Sequence, residues 1–87
     1  MQSSSSLVRG QVVRSIAGRD ADRFFVVMEI VDEKTVALVD GKLRPLARPK
    51  IKKVIHLQKT NHIIDVAPTD VPLCDRYIQR QIAHIGA

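Results

Sequence analysis

Six cations fall within the twelve residues from Lys42 to Lys53, namely Lys42, Arg44, Arg48, Lys50, Lys52 and Lys53, with no acid among them. The chemistry open to such a run is neutralisation of a polyanion. Each cation that meets a phosphate releases condensed counterions, so binding is tight at low salt and falls steeply as salt rises. Lysine suits diffuse contact, whereas the planar forks of Arg44 and Arg48 also chelate a phosphate or stack on a base. Pro45 and Pro49 stiffen the segment and lower the entropy lost on docking. Arg9, Arg14 and Arg19 add positive charge upstream. The competing reading is a solvated segment that only keeps the surface wet.

Other chemistry is poorly provided for. A nucleophilic triad needs a base oriented by an acid beside a nucleophile, and His56, His62 and His84 have no nucleophile motif near them, most serines lying in residues 3–6. Metal ligation needs closely spaced donors, but Cys74 is the single cysteine and the histidines stand six and twenty-two residues apart. No glycine-rich phosphate cradle is present. The expectation is a protein without catalysis, metal, cofactor or small-molecule substrate.

The cations are unevenly placed along the 87 residues, whose formal net charge is +5. Through Lys59 there are 12 basic against 6 acidic side chains, and from Thr60 onward 2 against 3. A positive field over the first two-thirds attracts nucleic acid, an anionic membrane face or an acidic protein. Residues 1–6, polar and serine-rich, read as a disordered leader without the apolar region of a signal peptide. No apolar run is long enough to span a bilayer, and a single cysteine gives no intrachain disulfide framework. A cytoplasmic, soluble protein is expected.

The elements that must position these cations are short strands. Leu7 to Ala17 is rich in β-branched residues and broken by Gly10, which predicts a strand with a kink or bulge. Residues 18–23 read as a turn, and Phe24 to Val31 as a nearly continuous apolar strand of the kind buried on both faces or found in small curved barrels. Asp32-Glu33-Lys34 turns into a third strand, Thr35 to Val39, which Asp40-Gly41 ends. Pro45 and Pro49 exclude a central strand from Leu43 onward. Strand propensity resumes over Ile51 to Leu57, although Val54 breaks the alternation, and a fifth strand fits Ile63 to Val66. Leu73, Tyr77, Ile78, Ile82 and Ile85 fall near helical spacing and predict an amphipathic helix over about residues 73–85. The pattern is mainly β: a small open barrel of about five antiparallel strands with a C-terminal helix.

The run Arg9-Gly10-Gln11-Val12-Val13-Arg14-Ser15-Ile16-Ala17-Gly18-Arg19-Asp20, followed by Phe24-Phe25-Val26-Val27, resembles a KOW motif. Val31-Asp32 and Ala37-Leu38-Val39-Asp40-Gly41 are similar to its continuation in KOW-containing large-subunit ribosomal proteins of archaea and eukaryotes and in short bacterial KOW RNA-binding proteins. The likeness covers about residues 8 to 59 and leaves the helical tail outside it. It implies an SH3-like barrel over 7–59, a C-terminal extension over 60–87, and association with RNA or the ribosome. The usual pattern carries a second glycine where this chain has Asp22, and aspartate tolerates left-handed backbone better than most residues.

The sequence thus points to a non-enzymatic RNA-binding barrel that contacts ribosomal or other structured RNA through Lys42, Arg44, Arg48, Lys50, Lys52 and Lys53, supported by Arg9, Arg14 and Arg19. With only two Phe, one Tyr and no Trp, backbone and shape are the expected basis of recognition. Phe24 and Phe25 are adjacent, so one faces inward and one outward. The alternative is a protein-interaction adaptor that uses the barrel or the amphipathic helix, which would require the helix stripe to stay exposed.

Overall fold

Apolar strands without a clean alternation need cover on both faces, and the computed structural model, which describes residues 7–86, supplies it. Strands β1 (Gln11–Ser15), β2 (Phe24–Ile30), β3 (Thr35–Val39), β4 (Lys50–Lys53) and β5 (Leu57–Ile63) form one sheet, and α1 (Asp75–Gly86) follows. The strand order is β4-β3-β2-β1-β5, and every neighbouring pair is antiparallel. One face carries Val13, Phe25, Val27, Val36 and Leu38 into a core completed by Leu7, Val54 and Leu57. The other face carries Val12, Val26 and Val39 into a second core, roofed by Ile78 of α1. Phe25 thus faces inward while its neighbour Phe24 packs on the helix side. Complete burial of a side chain such as Ile78 contributes about 1.5–3 kcal/mol.

The helix stripe is used for that roof. Leu73, Tyr77, Ile82 and Ile85 are all partly buried around Ile78, and the Tyr77 hydroxyl donates to the Asp65 carbonyl at 2.7 Å. Burial, with Asp65 and Asp70 adding negative charge, raises the Tyr77 pKa, so its hydroxyl stays protonated.

The expected class, five antiparallel strands and a C-terminal helix, is the one observed, with the sheet open between its edge strands β4 and β5. Several boundaries differ from expectation. The stretch Ile51 to Leu57 is not one strand: a 3-10 turn at Val54–His56 divides β4 from β5. Val54, whose apolar side chain interrupts the alternation, turns into the core there. The fifth strand is Leu57–Ile63 rather than Ile63 to Val66, so it runs past residue 59. The first begins at Gln11, because Gly10 adopts φ +93° and bends the chain before it. The helix begins at Asp75, two residues later than the stripe suggested. The leader expected over residues 1–6 lies outside the described residues.

The bend at Gly10 comes with a close approach, since its nitrogen donates to Val27 and its carbonyl accepts from Ile64 at 2.9 Å. The β1–β5 register shifts between Gln11 and Val13. The buried Gln11 side chain repairs that irregularity by donating to the Thr60 and His62 carbonyls at 2.7 and 3.2 Å, and the Thr60 hydroxyl donates to the Val12 carbonyl. Buried polar groups are thereby satisfied. Asp22 does adopt left-handed backbone, with φ +71°.

Candidate nucleic-acid interface

The turn from Gly18 to Arg23 is folded around Asp20. Lys52 Nζ lies 2.6 Å from its Oδ1, Lys50 Nζ lies 2.9 Å from its Oδ2, and Ser15 Oγ is 2.9 Å from Oδ1. Burial alone pushes the Asp20 carboxyl up, but its contacts with Lys52, Lys50 and Ser15 and the Lys52 charge outweigh it and hold the group well below the usual carboxylate range. Asp20 Oδ2 has no directed hydrogen bond, so the Lys50 ammonium holds it by charge. Lys52 also donates to Ser15 Oγ at 2.8 Å and to the Ala17 carbonyl at 2.9 Å. Its side chain is 8% exposed. Lys52 therefore leaves the phosphate-facing set: it spans from β4 to the end of β1 and ties the open side of the sheet with a side chain where no ladder forms. Inward-facing position on β4, opposite Val36, is what sends it there.

The loop between β3 and β4 carries most of the remaining cations, and it is held in place from several sides. Asp40 Oδ1 accepts the backbone N–H groups of Lys42 and Arg44 at 2.9 and 2.8 Å, and the Arg44 carbonyl accepts from Asp40 and Gly41. A second turn follows, in which Arg48 N–H donates to the Pro45 carbonyl at 2.9 Å. The helix supplies two further ties. Asp75 Oδ1 accepts Leu46 N–H at 2.7 Å, and the Gln79 amide donates to the Gly41 carbonyl at 2.5 Å. Leu46 is packed into the second core. Such a loop meets a ligand with much of its ordering already done.

Two adjoining grooves lie where this loop faces the Gly18–Arg23 turn. One, of about 440 Å³, is lined by Arg19, Arg23, Arg44 and Lys50 together with Asp20. The next, of about 610 Å³, shares Arg23 and Leu43 with it and adds Lys42, Phe24 and Asp40. Asp20 is paired with its lysines, and Asp40, which accepts backbone amides and keeps its charge, is outnumbered by Arg23 and Lys42, so the net charge in both grooves is positive. Arg19, Arg23, Lys42 and Arg44 form no ion pair among the described residues.

The structure thus brings Lys42, Arg44, Arg19 and the solvent side of Lys50 together. It places the other expected residues elsewhere. Arg14 pairs with Asp22 at 2.5 Å and reaches Gln58. Arg9 is exposed, its Nε donating to the Met28 carbonyl, while Arg48 and Lys53 are exposed outside both grooves. Arg23 is the residue that sequence reasoning missed. Its signal was the left-handed Asp22, which turns the chain back so that Asp22 N–H meets the Ser15 carbonyl and the Arg23 carbonyl meets Ser15 N–H, setting Arg19 and Arg23 on one groove. Among the described residues no three metal-ligating side chains gather, and no helix is long and apolar enough to cross a membrane. The chain matches no protein-family model and no curated protein.

Proposed function

We propose that this protein is a non-enzymatic, cytoplasmic RNA-binding barrel that holds ribosomal or other structured RNA through the grooves between the β3–β4 loop and the Gly18–Arg23 turn. The observation that carries this reading is the convergence of Arg19, Arg23, Lys42 and Arg44, none ion-paired, on two connected grooves in which basic side chains outnumber acids and Asp20 is already paired with its lysines. Cations that merely keep a surface wet have no reason to share a groove or to sit on a loop tied at Asp40, Leu46 and Gly41. Arginine forks in such a site grip phosphate oxygens in pairs. The resemblance to KOW-containing ribosomal proteins points to the same class of partner. The adaptor reading through α1 finds less support, because the stripe it needs is packed on the sheet.

The test is a variant in which Arg19, Lys42 and Arg44 are changed to glutamate, with Lys50 and Lys52 left in place because they hold Asp20. Affinity for total ribosomal RNA should fall, and the slope of log affinity against log salt should flatten by roughly 0.7–0.9 for each phosphate that is no longer neutralised. Unchanged affinity and slope would refute the assignment. Sedimentation of lysate at low salt tests the ribosomal version, which predicts migration with ribosomal particles and is overturned by migration at the top of the gradient.

A further inference from the structure

Phe24, half-buried at the start of β2, lines both the 610 Å³ groove and a third groove of about 380 Å³ beyond it. The third groove is bordered by Arg14, Gln58, Lys59 and Asn61. Since the first two grooves share Arg23 and Leu43, the three make one track. It runs from Arg44 and Lys50, past Arg23 and Lys42, over the Phe24 ring, to Arg14 and Lys59. Strand register fixes its middle. Arg14 stands opposite Phe24 on β2 and opposite Gln58 on β5, so ring, guanidinium and amide form one row across three strands on the same face. Ile82 borders the ring's groove on one side and Ile85 on the other.

We infer that this track takes an unpaired stretch of RNA, such as a loop within a folded molecule, with one base stacked on Phe24 beside Arg14 and the flanking phosphates on the cations at either end. The inference rests on the RNA-binding reading above and deepens it. Cations alone accept a duplex as readily as a single strand, because both present phosphates. Beyond its packing on the second core, an aromatic ring in mid-track adds affinity for a base whose face is free, and in a duplex those faces are closed by stacking. Arg14, paired with Asp22 through one terminal nitrogen and with its side chain 42% exposed, still has guanidinium surface to offer for stacking. Gln58 and Asn61 carry both donors and acceptors, which suits the edge of an unpaired base. The chain's one other partly exposed aromatic, Tyr77, lines neither of the grooves that meet at Phe24.

Fluorescence anisotropy with a short labelled single-stranded RNA and a fully paired RNA duplex of equal nucleotide content tests this. The single strand should bind more tightly. Phe24→Leu keeps an apolar branch under α1 while removing the ring, and should weaken the single strand about tenfold while leaving the duplex unchanged. Should that variant unfold, Gln58→Ala and Asn61→Ala, at exposed positions of β5, carry the test: each should weaken the single strand more than the duplex. Equal affinity for the two RNAs, or an unaltered single-strand affinity in the folded variants, overturns the inference. In that case, weaker binding by the Arg19, Lys42 and Arg44 variant would leave the broader RNA reading standing. Failure of both RNAs to bind would end the two together.

Discussion

Asp20, with its side chain only 12% exposed, holds two ammonium groups and is within reach of one hydroxyl. Removing its charge leaves Lys52 buried without a counterion, and breaking a buried pair from one side typically costs about 3–5 kcal/mol. Asp20→Asn should therefore lower stability at neutral pH by about 3 kcal/mol. The folded carboxyl titrates below its unfolded value, so its contribution is complete above about pH 4 and drains away as pH falls from there toward the folded value. Urea melts near pH 7 and near pH 3 should show the gap between wild type and Asp20→Asn narrowing in acid. A constant gap would mean that the hydrogen-bond geometry matters and the charge does not. Little of this is visible in sequence. Lys52 looks like its neighbours Lys50 and Lys53, and its counterion lies 32 residues away. Alternation across β4 decides which lysines point inward, and the four-residue strand is too short to announce its own phase.

At the scale of elements, the legible parts are those bracketed by strong turn chemistry. Strand β3 spans Thr35–Val39 as expected because Asp32 and Asp40-Gly41 stop it at both ends. Asp32 Oδ1 accepts the Thr35 hydroxyl at 2.6 Å and the Lys34 and Thr35 amides, and the Thr35 hydroxyl chiefly, then Lys34, keeps that carboxyl below its ordinary pKa. The division between β4 and β5 was illegible for the opposite reason. Val-Ile-His carries strand-like composition through a 3-10 turn, with no glycine or proline to mark it. Glycine at position 10 is constrained twice over, by positive φ and by the Ile64 carbonyl oxygen, which a Cβ would strike. Gly18 has positive φ too, yet a Cβ there would meet nothing nearer than 3.7 Å. Gly18→Ala should thus cost about 1–2 kcal/mol, the left-handed backbone alone, and Gly10→Ala distinctly more, with the β1–β5 ladder disturbed. Chemical denaturation of the two variants measures the difference. Equal losses would show that the approach to Ile64 imposes nothing.

Over the whole molecule, the two cores hold different parts together. The inner core is made by residues of β1, β2 and β3 with Leu7, Val54 and Leu57, and the outer core joins the helix to the loop that presents the cations. The helix therefore shapes the interface without contributing a cation of the loop. Asp75→Ala removes the acceptor for Leu46 N–H. That change should raise amide exchange at Leu46 by about tenfold or more, in keeping with loss of a charge-assisted hydrogen bond. RNA affinity should fall severalfold although every cation is still present. Protected exchange at Leu46 together with full affinity would show that the helix does not organise the loop. The amphipathic stripe of this helix was readable from its spacing, but its service to a loop some thirty residues upstream was not, since periodicity says which face is covered and nothing about what the polar ends hold.

The ties from Asp75 to Leu46 and from Gln79 to Gly41 span 29 and 38 residues. During synthesis the cationic stretch emerges well before the residues that give it form. Until Asp75 and Gln79 have left the ribosome, the loop that carries Lys42, Arg44 and Arg48 is a basic segment without two of the ties that fix its shape. The final shape of the loop is accordingly acquired late in the birth of each molecule, after its charge.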